Sequence, residues 1–179
     1  MARVLLPIAD GSEELEAVTL IDLFRRADFE VVVAGLAPGP VTCSRGVVIV
    51  PDTGLAAVAD EAFDLVVLPG GAAGAEHLAA DERLAEVLVR HRGADGWTAA
   101  ICAAPGVLAA HGLLEGRQAT AFPGALENHG LASTGAPVEV DGRVATSRGP
   151  GTAMDFALTL IEQLGDRGLR QGVEERLQR

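Results

Sequence analysis

Val4-Leu5-Leu6-Pro7-Ile8 and Leu65-Val66-Val67-Leu68 are unbroken apolar runs in which no alternate position is polar. A strand with one solvated face alternates apolar and polar residues, so runs of this kind predict strands covered on both sides, the arrangement of a parallel sheet layered by helices. The segments between strands carry the covering helices. Asp10-Gly11-Ser12-Glu13-Glu14 supplies a turn, a Ser N-cap and first-turn acids, followed by an apolar stripe at Ala17, Leu20, Ile21 and Phe24. Phe29 to Ala34 reads as a second strand. Val41-Thr42-Cys43 and Val47-Val48-Ile49-Val50 read as a hairpin turning at Ser44-Arg45-Gly46. Beyond the second apolar run come Pro69-Gly70-Gly71-Ala72-Ala73-Gly74, read as a loop, and a helix from about Asp81 to His91. Ala119 to Ala121, Pro137 to Val140 and Val144 to Thr146 are short strands between Gly-rich turns, which reads as peripheral structure. Thr152 is the expected N-cap of a helix with one apolar face, and Gly168 to Arg179 a last polar helix. The pattern defines an α/β fold of flavodoxin-like type, a mostly parallel sheet with helices on both faces, over residues 1–179 as one domain.

Thr98 to Gly106 is the segment around which the rest is organised. Thr98-Ala99-Ala100-Ile101 is a short buried strand, Cys102 the corner, and Ala103-Ala104-Pro105-Gly106-Val107-Leu108 the start of a helix. Small residues on both sides of Cys102 permit the sharp strand-to-helix turn of a nucleophile elbow. A cysteine is often simply a buried core residue. Here the corner favours a reactive thiol, because N–H groups and the positive dipole end at a helix N-terminus favour the thiolate. Glu16 lies beside the buried face of the first helix, at the carboxyl end of the first strand, where open α/β sheets bind ligands. It reads either as a first-turn acid favouring the helix dipole or as an acid/base group, and it is the only acid/base candidate that the sequence supports. The glycines after Leu68 present backbone N–H groups to an anion, but match no phosphate-binding motif.

With 25 acidic residues against 14 basic ones, all of them Arg, the formal net charge is −11. That field disfavours nucleic acid and anionic membranes as partners. The two cysteines, Cys43 and Cys102, form no C-x-x-C pair, and no His/Cys cluster has metal-ligand spacing, so no cofactor or metal is expected. Cys43 is read as a strand residue with a structural role. His77, His91, His111 and His129 are assigned to surface or structural roles. Met1-Ala2-Arg3 runs straight into the first strand, leaving no room for a signal peptide, and no apolar run approaches membrane-spanning length; the cytoplasm is the expected compartment.

Four motifs in order carry a resemblance: Asp10-Gly11-Ser12-Glu13-Glu14-Leu15-Glu16, Leu68-Pro69-Gly70-Gly71, Ala99-Ala100-Ile101-Cys102-Ala103-Ala104-Pro105, and Thr146-Ser147-Arg148-Gly149-Pro150-Gly151-Thr152. Together they resemble the ThiJ/PfpI superfamily across essentially the whole chain, in the branch of the parkinsonism-associated deglycase and bacterial YajL. The resemblance implies an oxidation-sensitive nucleophile at Cys102, a protonated glutamate at Glu16, and N–H groups of Gly71 and Ala103 near the sulfur. It also implies a homodimer, for which Arg25, Arg26 and Arg45 would be clamps. Small α-oxoaldehydes and their early adducts are the implied substrates of a cofactor-independent glyoxalase or deglycase. A stress sensor or chaperone working through oxidation of Cys102 is the alternative. Phe122 stands where the human branch has histidine, so a mechanism that requires that imidazole is not expected here. Ala103 stands where protease members have histidine after the nucleophile, so peptidase activity is not expected.

Overall fold

The computed structural model describes residues 1–179. Its elements are β1 (Arg3–Ile8), α1 (Glu14–Arg26), β2 (Glu30–Gly35), β3 (Val41–Thr42), β4 (Val48–Ile49), β5 (Thr53–Gly54), α2 (Leu55–Val58), β6 (Leu65–Leu68), α3 (Ala72–Ala80), α4 (Glu82–Gly93), β7 (Trp97–Ile101), α5 (Pro105–Ala110), β8 (Val138–Asp141), β9 (Val144–Ser147), α6 (Ala153–Leu164) and α7 (Arg167–Arg176). Seven strands form one sheet in the order β5-β2-β1-β6-β7-β9-β8, and β3 with β4 form a separate two-stranded hairpin. All pairings in the large sheet are parallel except that of the edge strand β8 with β9.

The apolar runs divide between two cores, as period-two alternation requires. Val4, Leu6 and Ile8 point to one face, where Leu20, Phe24, Phe156 and Ile161 of α1 and α6 cover them. Leu5, Val66 and Leu68 point to the other, against Leu78, Leu88, Val107 and Leu108 of α3, α4 and α5. The large members are fully buried, and each such side chain contributes roughly 1.5–3 kcal/mol relative to exposure. The chain runs outward from β1 through β2 and then returns to place β6 on the other side of β1. This reversal opens a crevice at the carboxyl ends of β1 and β6, the place where open α/β sheets bind ligands.

Several local expectations are corrected. Ala72 to Gly74 form the first turn of α3 rather than a loop, and two helices, α3 and α4, occupy the region where one was expected. Ser12 does not cap α1: its Oγ accepts the Ala9 N–H, closing the turn after β1, and Glu13 takes the N-cap position without a side-chain bond. Thr152 sits at the N-cap of α6 but its hydroxyl is spent on Gly149 O and Ser147 Oγ. Ala119 to Ala121 make no strand, because the Thr120 N–H is taken by the side chain of Thr146. The β9 segment is not peripheral. It lies inside the sheet between β7 and β8, since Val144, Ala145, Thr146 and Ser147 are all buried and continue the parallel ladder of β7.

Candidate active site

β7 ends at Ile101 and the next residue, Cys102, adopts φ +63°. A side chain in this left-handed region costs on the order of 1–3 kcal/mol unless the surroundings hold it. Here they do. The Cys102 N–H donates to Ser147 O at 2.9 Å, and Cys102 O accepts the Phe122 N–H at 2.8 Å. β9 and the segment after α5 thus grip the corner from both sides, and Cys102 is only 9% exposed.

Glu16 reaches the same place from the first turn of α1 and is completely buried. Its Oε2 accepts the Gly70 N–H at 2.7 Å. No hydrogen bond of ordinary geometry satisfies Oε1, although carboxyl and thiol lie close enough to shift each other's protonation. The N–H groups of Gly71 and Ala103 face the sulfur and favour its anion. All four residues singled out in the sequence, Glu16, Gly71, Cys102 and Ala103, therefore come together at the crevice.

Gly70, which the sequence reading did not single out, separates the two reactive groups. A Cβ there would lie 2.6 Å from Cys102 Cβ and 2.7 Å from Glu16 Oε2. Only a residue without a side chain lets the carboxyl approach the sulfur. Gly71, at φ +87°, is equally constrained: a Cβ would fall 2.2 Å from Gly11 O. The β1–α1 turn and the β6–α3 turn interlock through glycine, with the Glu13 N–H donating to Gly70 O at 2.9 Å. Ser147 was likewise overlooked as a support of the site. The doubled glycine after a buried strand, and the buried Ser147 opposite the strand–cysteine corner, are the signals that would have found them.

Burial pushes the Glu16 carboxyl up to about 7, against the opposing pull of the Gly70 N–H and the Cys102 thiol, with the Glu13 charge adding to the rise. Burial also raises the Cys102 thiol, to about 12, and the charge and hydrogen bonding of Glu16 reinforce it; the amides of Gly71 and Ala103 act in the opposite direction. The acidified thiol expected from a helix N-terminus is thus corrected. α5 is only six residues long, and desolvation beside a carboxylate outweighs its terminus. The site favours one negative charge over two.

Two of the four histidines are engaged elsewhere. His77 Nδ1 lies 2.8 Å from Asp10 O. His91 Nε2 lies 2.7 Å from Trp97 O, with its ring packed over Gly96. Cys43 is buried just past β3, and burial, followed by the charges of Glu14, Glu13 and Asp10, raises its thiol pKa. No group of three or more His, Cys, Asp or Glu side chains is arranged to hold a metal ion. No helix is long and apolar enough to cross a membrane.

A parallel sheet with a left-handed cysteine corner at its switch point, facing a buried glutamate from the first helix, defines a class of α/β proteins with one reactive-cysteine crevice. Residues 2–163 match the model of the DJ-1/PfpI family, and the chain belongs to that family. It is 46% identical over 169 residues to the Parkinson disease protein 7 homolog of Danio rerio, covering 90% of this chain and 89% of that one. It is 37% identical over 165 residues to the glutathione-independent glyoxalase DJR-1.2 of Caenorhabditis elegans, covering 91% and 88%. Among solved structures, oxidized DJ-1 of Toxoplasma gondii superposes with a TM-score of 0.94 at 38% identity, covering 99% of this chain and 98% of the other.

Since the carboxylate contributes to the high thiol pKa, Glu16→Gln will ease ionisation of Cys102. Its alkylation by iodoacetamide, followed from about pH 7 to 12, should set in at lower pH than in the wild type. An unshifted profile would mean that the carboxyl charge does not reach the sulfur.

Proposed function

We propose that the protein is a cofactor-independent glyoxalase that converts methylglyoxal and glyoxal to hydroxy acids, and that it acts as a deglycase on their early adducts. The observation that carries this reading is the buried Glu16 carboxyl with an unpartnered oxygen beside the Cys102 thiol. A carboxyl with a pKa of about 7 both accepts and returns a proton at neutral pH. The similarity to a protein named as a glutathione-independent glyoxalase supports the same class.

In the proposed sequence Glu16 takes the thiol proton as the sulfur adds to the aldehyde carbon, forming a hemithioacetal. This replaces the preformed thiolate suggested by the elbow alone, because the thiol is held high. The N–H groups of Gly71 and Ala103 hold the former carbonyl oxygen. Glu16 returns its proton to that oxygen, then removes the hydrogen on the first substrate carbon as a proton, giving an enediolate. It delivers that proton to the second carbon, and the hydroxyl proton on the first carbon passes to the oxygen of the second as the first becomes a thioester carbonyl. Water cleaves the thioester, releasing the hydroxy acid and the thiol. An early adduct on an amine or thiol would enter the same sequence once the sulfur displaces that group. The same donors that hold an oxyanion would hold the oxygens of a sulfinate, which supports the alternative of a redox sensor working through Cys102.

A second copy of the chain is the proposed partner. Leu15 and Val18 on α1 and Val47 and Val48 on the β3–β4 hairpin are exposed, and Glu14 ties the two surfaces together by accepting the Arg45 N–H at 2.8 Å. The roles expected of the arginines divide here. Arg25 pairs with Asp52 at 3.0 Å and Arg26 with Asp22 at 2.7 Å within the chain, leaving Arg45 as the one available clamp of the three.

Purified protein supplied with methylglyoxal and no glutathione should form lactate, and Glu16→Gln should lower turnover by two or more orders of magnitude, the range of a lost acid/base group. Absence of lactate from the wild type would sink the enzymatic reading. Under mild peroxide, peptide mass spectrometry should find two added oxygens on the Cys102 peptide before any on Cys43; the reverse order would remove the redox alternative. Sedimentation at micromolar concentration should show a species of twice the 18.4 kDa chain mass, and a monomer alone would refute the dimer.

A further inference from the structure

Beside the cysteine corner lies a second cavity of about 630 Å3, walled by Phe122, Pro123, Glu127, Arg148, Gly149 and Gly151 among others. Two backbone bonds fix it to the reactive centre. The Phe122 N–H donates to Cys102 O, and the Cys102 N–H donates to the carbonyl of Ser147, the residue directly before Arg148. Phe122 is half exposed and lies against Gly149, where a Cβ would meet its ring at 3.8 Å. Arg148 is anchored through one nitrogen, Nη1, to Gly135 O at 3.0 Å, and no carboxylate stands within 4.0 Å of its guanidinium. Glu127 lines the same cavity without pairing with it. Its Oε2 instead accepts the Gly124 N–H at 2.9 Å. In a chain of net charge −11, where nine other arginines have acidic partners, an exposed arginine left without one, in a cavity joined to the cysteine corner through the backbone bond of Phe122, is available to a ligand.

We infer that Arg148 and Phe122 form a specificity subsite for the remote part of the substrate, selecting α-oxoaldehydes that carry a carboxylate on a short apolar spacer. The inference rests on the proposed glyoxalase reaction and adds to it a substrate class. A guanidinium with free donors binds a carboxylate through parallel N–H bonds, and the aromatic face covers the methylenes between carboxylate and aldehyde. The single cation and the Glu127 carboxylate favour a monoanion over a dianion.

The test compares two substrates of equal carbon number, γ,δ-dioxovalerate, which ends in a carboxylate, and neutral propylglyoxal. Wild-type protein should show a higher kcat/KM for the carboxylated compound. Arg148→Gln should lower the ratio of the two kcat/KM values roughly ten- to hundredfold, as expected for a lost hydrogen bond to a charged group. Arg148→Lys should restore part of it, keeping the charge without the fork. A variant that is merely misfolded lowers both values and leaves the ratio unmoved. An unchanged ratio with active enzyme overturns the subsite and leaves the glyoxalase reading intact. Where methylglyoxal turns over but neither five-carbon substrate does, or where methylglyoxal fails as well and the glyoxalase reading with it, calorimetry with levulinate, which lacks the aldehyde, decides the subsite. Binding to Cys102→Ala that is lost when Arg148→Gln is added supports it, and no binding, or equal binding, overturns it.

Discussion

The left-handed corner at Cys102 exists because two backbone hydrogen bonds from different parts of the chain hold it there. Ser147 O takes its N–H and the Phe122 N–H takes its carbonyl. An isolated strand–cysteine–helix segment would relax to φ below zero and carry the sulfur with it. The strain is therefore sustained by β9, whose parallel pairing with β7 sets Ser147 opposite Ile101, and by the packing of the segment after α5. The sheet is the support of the site as well as its scaffold.

The second dependence is steric. Carboxyl and thiol share a pocket only because Gly70 lacks a side chain, and the β1–α1 and β6–α3 turns interlock only because Gly71 and Gly74 lack one; a Cβ at Gly74 would lie 2.5 Å from Ser12 N. The same closeness buries both groups. Desolvation then pushes both groups towards their neutral forms, so their proximity and their unusual acidities have one cause. A helix terminus does not decide the acidity of Cys102, since the local dielectric and the neighbouring carboxylate contribute more.

Much of the fold was legible because local patterns and tertiary packing agree. The unbroken runs in β1 and β6 reflect burial on both faces, and the β3–β4 hairpin turns at the glycine expected of it. Misreadings fell where one local signal had two possible partners. Ser12 and Thr152 look like helix caps, yet their hydroxyls serve neighbouring turns. β9 is short and bounded by glycine turns, which suggests a surface strand, and only the non-local ladder to β7 shows that it is central.

The sequence by itself determined the α/β class, the cysteine at a strand-to-helix corner and the acid after the first strand, because periodicity and turn chemistry are written in neighbouring residues. Their meeting was decided by tertiary structure alone. Residues 16, 70, 102 and 147 are distant in the chain, and nothing in local propensity brings them together; the switch-point topology, the fit around absent side chains and the exclusion of water do. For the same reason the thiol pKa rises where the local corner alone predicts a fall: burial is a property of the assembled fold, and here it outweighs a terminus that the sequence shows plainly.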